Sequence, residues 1–220
     1  RQAVNFGFDR KSYAAQVSGS DAAENTLRST LVPPTYVQVN GEDFGKVVEK
    51  QLVTYGDQWK GVSLADGQTS LYNPEKAKAS FAKAKAELQK QGVQFPIHID
   101  VPVIQNATSI VTRMQSLKQT VEETLGKDNV VVDLQMMDQD EVLNITLNVP
   151  SAADADWDLQ GMVGWNPDYQ DPSTYLDIFK TTSSENTKTF MGYDDPNNAA
   201  AAQVGLKDYD ALLDSAASET

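Results

Sequence analysis

The 220-residue chain has no cysteine. That excludes thiol nucleophiles, disulfides, zinc fingers and iron–sulfur clusters. It leaves the compartment open, because cytoplasmic and exported proteins can both dispense with disulfides. Histidine is almost absent too. The single His98 stands in an alternating stretch with no second histidine nearby, which reads as a strand residue rather than a metal ligand or a catalytic base. Positive charge is scarce: 18 Lys and Arg face 31 Asp and Glu, for a net charge of −13. A nucleic-acid backbone or an anionic membrane surface would find no basic footprint here. No apolar run approaches the roughly 18 residues of a membrane helix. No Gly-x-Ser-x-Gly, Gly-x-Gly-x-x-Gly or phosphate-binding loop occurs. No signal peptide is visible. Arg1 opens directly on an apolar-patterned stretch, so the chain is expected to be a piece of a longer one, truncated at both ends.

What is present can build a core. The chain is 40% hydrophobic, with 3 Trp, 8 Tyr and 7 Phe, enough for one domain of generous size or two small ones. Residues 1–18 read as helix with a break at Asp9-Arg10, where Asp9 can cap a second helix. Val32-Pro33-Pro34 forces an extended loop. Asp43 is expected to cap a helix carrying Phe44, Val47, Val48, Leu52 and Tyr55 on one face, stopped by Gly56. Asn73, Pro74 and Glu75 open a helix in the order that capping and the helix dipole favour. Ala77, Phe81, Ala84 and Leu88 line its inner face, Lys and Glu residues its wet one, and Gly92 ends it. Ile97, Ile99, Val101 and Val103 alternate as a strand. Ile110, Met114, Leu117, Val121 and Leu125 make a helical stripe closed by Gly126, and Val130, Val132, Leu134 and Met136 alternate again. Strand, helix and strand with short links predict a parallel crossover.

The rest is less decided. Residues 139–149 carry alternating Leu143, Ile145, Leu147 and Val149, yet capping by Asp140 permits a helix. Residues 156–165 read as a further strand, 172–179 as a short helix capped by Asp171, and 181–207 as loop. A helix covers the chain from Tyr209. The expected class is α/β, one mixed sheet with flanking helices.

Carboxylate groups offer the only visible chemistry. Asp138, Asp140 and Glu141 lack the spacing of a calcium loop and read as a solvated acidic turn; Asp154, Asp156 and Asp158 read as a loop edge. No metal or cofactor site is expected. The informative stretch runs from Asp156 to Phe179, where an apolar strand ending in Gly164-Trp165 delivers Asp168, Tyr169 and Asp171. The carboxyl end of a strand is where open α/β sheets place ligands. Asp171 has a capping duty, whereas Asp168 has none, which leaves Asp168 as the functional candidate. A hydrolase using Asp168 and Asp171 would need two carboxylates free for chemistry, and is the weaker reading. No enzymatic activity is expected.

Three segments carry a resemblance. Gly164-Trp165-Asn166-Pro167-Asp168-Tyr169-Gln170-Asp171-Pro172 resembles the Gly-Trp-x-x-Asp-Tyr-x-Asp-Pro hallmark of the oligopeptide-binding receptors of ABC importers. Arg1-Gln-Ala-Val-Asn-Phe-Gly-Phe-Asp-Arg10 resembles their Arg-Gln-Ala motif, with Gly7 where Ala is usual. Tyr209-Asp210-Ala-Leu-Leu213 resembles their closing Tyr-Asp-x-Leu helix. Leu71-Tyr72-Asn73-Pro74 and Phe95 to Asp100 look most like the streptococcal lipoproteins of that family. The resemblance implies that residues 1–220 form a single peptide-binding lobe, the carboxyl-terminal half of a two-lobed class II receptor, and that 139–149 is helical. It implies an oligopeptide ligand, ABC permease subunits as partners, a monomer, and a lipid anchor on the outer surface of a Gram-positive-like cell. It places the ligand's α-ammonium on Asp168 and its backbone along Gly164, Trp165 and Asn166, with Trp165 and Tyr169 as apolar walls. The same fold with another cargo (a nickel complex, haem or an oligosaccharide), a sensor for signalling peptides and a surface adhesin are the alternative readings.

Overall fold

The structure is a computed structural model that describes residues 1–56, 60–61, 63–68, 71–161, 164–182 and 199–219. Their elements, in chain order, are α1 (Gln2–Gly7), α2 (Arg10–Ser18), α3 (Ala23–Thr26), β1 (Gln38–Val39), β2 (Glu42–Asp43), α4 (Phe44–Leu52), α5 (Pro74–Lys90), β3 (Ile97–Ile104), α6 (Thr108–Leu125), β4 (Val130–Met137), α7 (Gln139–Thr146), α8 (Ser173–Leu176), α9 (Ala199–Gln203) and α10 (Leu206–Ser218). They fall into two compact units. One holds residues 1–138 with 158–162; the other holds 139–157 with 163–220.

The first unit is built on the crossover. β3 and β4 pair in parallel, from Ile97 opposite Val130 to Ile104 opposite Met137, with α6 between them in sequence. Met114, Leu117, Val121 and Leu125 recur on one face of α6 and are all buried, against Val101, Val103, Val130 and Val132 of the sheet and Ala77 and Phe81 of α5. Each such side chain adds about 1.5–3 kcal/mol by leaving water. Gly126 ends α6 in the left-handed region at φ 85°, where a side chain would be strained. The start of α5 follows its chemistry: the Asn73 carboxamide accepts from the Lys76 N–H at 2.9 Å, behind Pro74. Asp9 caps α2, accepting from the Ser12 N–H at 3.1 Å and from the Ser12 hydroxyl at 2.6 Å. Burial acts to raise the Asp9 pKa, but the bonds from Ser12 and Gln68 outweigh it and hold the carboxyl below its ordinary value.

Four expectations need correction. Asp43 precedes α4 but makes no cap bond. The helix start is fixed instead by the Pro33-Pro34 loop: the Gly45 N–H donates to Pro34 O at 2.8 Å, so close that a Cβ on Gly45 would lie 2.5 Å from Pro34 Cβ. Of the strand expected over 156–165, the described residues form no ladder, and residues 162–163 lie outside the description. Asp158 and Leu159 both aim their N–H groups at one carbonyl, Asp100 O, at 3.0 and 3.2 Å. That convergence breaks the alternation a strand requires. Among the described residues the ladders are therefore a parallel pair, beside a separate antiparallel pair of β1 and β2, rather than one mixed sheet. Within 181–207, Ala199–Gln203 is helix; residues 183–198 lie outside the description. The α/β class itself stands.

In the second unit, Gln139–Thr146 of the 139–149 stretch is helix, and the chain leaves it before Leu147. Val142 and Thr146, one turn apart in it, are buried, as is Val149 beyond its end, while Leu147 is 41% exposed. Asp140 and Glu141 occupy the first turn of α7, where the dipole favours them.

Candidate functional site

The loop before α8 is held by a short chain of hydrogen bonds. Asp171 Oδ1 accepts from the Ser173 N–H at 2.8 Å and Asp171 O accepts from the Thr174 N–H at 3.2 Å, so Asp171 starts the helix through Pro172. The bonds from the Ser173 side chain and backbone hold the Asp171 carboxyl below its usual range. Thr174 is 3% exposed, and its Oγ1 accepts from the Asp168 N–H at 3.0 Å. The Asp171 N–H reaches back to Tyr169 O at 3.0 Å, and the Tyr169 hydroxyl lies 3.3 Å from Ser173 Oγ. Residues 168–171 are thus tied to the first turn of α8 at several points.

The carboxylate of Asp168 is exposed and takes no hydrogen bond or ion pair among the described residues. Its backbone is pinned while its charge is left open. Tyr169 beside it is 52% exposed and Trp165 is 41% exposed. Gly164, Trp165 and Asn166 run through the loop as exposed, non-ladder backbone. A Cβ on Gly164 would meet nothing within 4 Å, so its own surroundings do not demand glycine. The loop therefore brings Asp168 and Tyr169 together with α8, and leaves 164–166 as an open approach rather than a formed strand edge. His98 lies in the other unit, 2.6 Å from an Asp133 carboxylate oxygen and well exposed.

Two supports escaped sequence reasoning. Thr174 carries no motif, although a hydroxyl six residues after a key carboxylate can turn back to its N–H. The closing helix α10 is the other. Its Tyr209 hydroxyl donates to Leu176 O at 2.6 Å at the end of α8. Asp210 accepts from the Thr181 N–H at 3.0 Å, and Asp214 pairs with Lys180. Burial, followed by the nearby Asp177 and Asp210 carboxylates, pushes the Tyr209 phenol up to about 12. The Tyr-Asp motif thus buttresses the helix that holds the loop.

With Asp171 committed to its cap and its carboxyl held below the usual range, no second carboxylate among the described residues is poised as a general acid beside Asp168. The arrangement suits a fixed anion presented to a cation. This loop lies inside a match over residues 1–187 to the bacterial extracellular solute-binding proteins, family 5, middle part. The chain belongs to that family. Over its whole length this family 5 chain is 58% identical to the oligopeptide-binding protein SarA of Streptococcus gordonii, and 57% identical to AliA and AmiA of Streptococcus pneumoniae, both also oligopeptide-binding proteins. It spans about a third of the length of those relatives. Among solved structures, the substrate-binding domain of an oligopeptide ABC transporter from Bacillus anthracis superposes on 99% of the chain, with a TM-score of 0.63 at 23% identity. Listeria monocytogenes OppA bound to peptide superposes on 97%, with a TM-score of 0.58 at 22% identity. At such identities the likeness establishes the α/β fold alone.

Proposed function

We propose that this chain is the part of an extracellular oligopeptide receptor that grips the amino end of the peptide and hands it to an ABC permease. The observation that carries the reading is Asp168, whose N–H is held by buried Thr174 while its carboxylate has no partner among the described residues. A receptor for peptides of many sequences must recognise what they share. The α-ammonium is shared, and a carboxylate is its natural partner. Backbone groups are shared too, and the open run Gly164, Trp165 and Asn166 offers a segment that can pair with them when a peptide is present. Trp165 and Tyr169 give apolar walls with polar edges. The names of the curated relatives support the cargo, and the family description supports an extracellular setting.

In this reading residues 1–220 belong to one lobe of a two-lobed monomer. The other lobe closes over the ligand and removes water from the Asp168 pair, and a lipid anchor holds the receptor at the cell surface. The protein binds and releases; it does not turn its ligand over. Mass spectrometry of molecules released from the denatured full-length receptor tests the cargo. Recovered peptides with free amino ends support the reading, and haem, a nickel complex or an oligosaccharide recovered in stoichiometric amount overturns it.

A further inference from the structure

Among the described residues, the parallel pair β3–β4 leaves the outer side of β4 without a partner strand, an edge that the family reading does not account for. The Ile97 N–H donates to Asn129 O and the Gln105 N–H to Met137 O, each at 2.9 Å. With the register of Ile97 opposite Val130, the odd-numbered residues of β4 face β3. The even-numbered ones, Val130, Val132, Leu134 and Met136, turn their N–H and C=O groups outward. Such a row templates another strand, and the strand always at hand is β4 of a second copy of this chain.

At the middle of that row a pair of α6 side chains occupies the backbone. Glu122 Oε1 accepts from the Val132 N–H at 2.9 Å, and Lys118 Nζ donates to Val132 O at 2.5 Å and to Glu122 Oε1 at 2.5 Å. One carboxylate and one ammonium together present the acceptor and donor that a neighbouring strand would present. Val130 is also engaged, its N–H donating to Gly126 O at 3.0 Å. Glu122 is buried and is held a second time by Lys127 at 3.5 Å. Such a placement exceeds what the pinning of a helix to a sheet requires, since the apolar stripe of α6 already does that. A buried charge is costly unless each of its bonds is made, and here the bonds fall on the two outward groups of one edge residue. We propose that Glu122 and Lys118 form an edge guard, which stops β4 from pairing with β4 of another copy and keeps the protein from associating edge to edge.

The test uses the full-length receptor with Glu122→Gln, Lys118→Met and both together. Lys118→Met keeps the apolar stem and removes only the donor, so it remains informative if the buried substitution fails to fold. Hydrogen exchange at the Val132 amide is read against Ile99 on the paired strand, and sedimentation velocity reads association. The guard predicts about tenfold loss of protection at Val132 in Glu122→Gln, about 1.4 kcal/mol, with Ile99 unchanged. It predicts concentration-dependent oligomers in the folded double variant, and weaker ones in Lys118→Met, with new protection at Leu134 and Met136. Loss of protection at Val132 in chains that stay monomeric would reduce the pair to a helix–strand pin and overturn the proposal, as would folded variants with no change in either readout.

Discussion

Thr174→Val isolates the positioning of the loop from its charge. The substitution keeps shape and volume at a site that is 3% exposed, and deletes one oxygen, the acceptor for the Asp168 N–H at 3.0 Å. An orphaned donor costs about 1–3 kcal/mol when buried. Asp168 is exposed, so water can replace Thr174 there and the stability loss falls at the low end, about 1 kcal/mol. Affinity should suffer comparably, because the loop must then be ordered during binding instead of beforehand. About 1 kcal/mol corresponds to roughly fivefold in peptide affinity. The assay is peptide binding by calorimetry in the full-length receptor, with urea unfolding of the same variant. The expected pattern is a severalfold weaker complex, faster exchange at the Asp168 amide, and an Asp171 cap that persists through Ser173. Unchanged affinity together with faster exchange at Asp168 would show that the pinned backbone does not serve the site.

Gly7→Ala should stabilise the first unit by about 0.5–1 kcal/mol, seen as a higher urea midpoint, because alanine restricts the unfolded chain and its Cβ would meet Thr124 Cγ2 at an ordinary 3.4 Å. Burial acts to raise the Glu122 pKa, but Lys118, the Val132 N–H and Lys127 hold it below its ordinary value. Its contribution is therefore full above the ordinary carboxyl pKa and lost as pH falls through the depressed one, so Glu122→Gln should flatten acid unfolding on that side. Tyr209 has the opposite sign. Its pKa is raised to about 12, so its contribution is complete below about pH 10 and lost as pH climbs toward 12; Tyr209→Phe should remove that alkaline limb in spectrophotometric titration. Asp171→Asn should cost about 1 kcal/mol or less in thermal unfolding, since an amide oxygen still caps.

How far these features could be read from sequence depended on whether local signals agreed. Around 97–137 the strand alternation, the Met114–Leu125 stripe and Gly126 all point one way, and the crossover forms as read. At 139–149 two periods compete. Alternation favours Leu147 inward, but acidic residues at the first turn and burial of Val142 and Thr146 decide for helix, as the family resemblance implies. At 156–165 the apolar alternation is real, yet Asp158 spends its side chain on the Asp100 N–H at 2.9 Å, a tertiary bond with no local trace. Asp43 fails as a cap because the Pro33-Pro34 loop reaches the helix start first. Asp168 stands out in the sequence by elimination and by motif, as the proposed site carboxylate without a capping duty. Its support by Thr174 and the buttress from Tyr209 depend on how the chain folds back, which spacing alone does not encode.

The central claim, that Asp168 holds the ammonium of a peptide, is tested most directly by a cycle over residue 168 and the peptide's amino end. Full-length receptor and its Asp168→Asn variant are each titrated with one peptide, free and N-acetylated. Removing one partner of a desolvated charge pair costs roughly 2–5 kcal/mol, so Asp168→Asn should weaken the free peptide about thirtyfold or more, mainly through faster dissociation. The acetylated peptide already lacks the charge and should lose little further. Strong non-additivity is the predicted result; if the two changes simply add, Asp168 does not hold the ammonium.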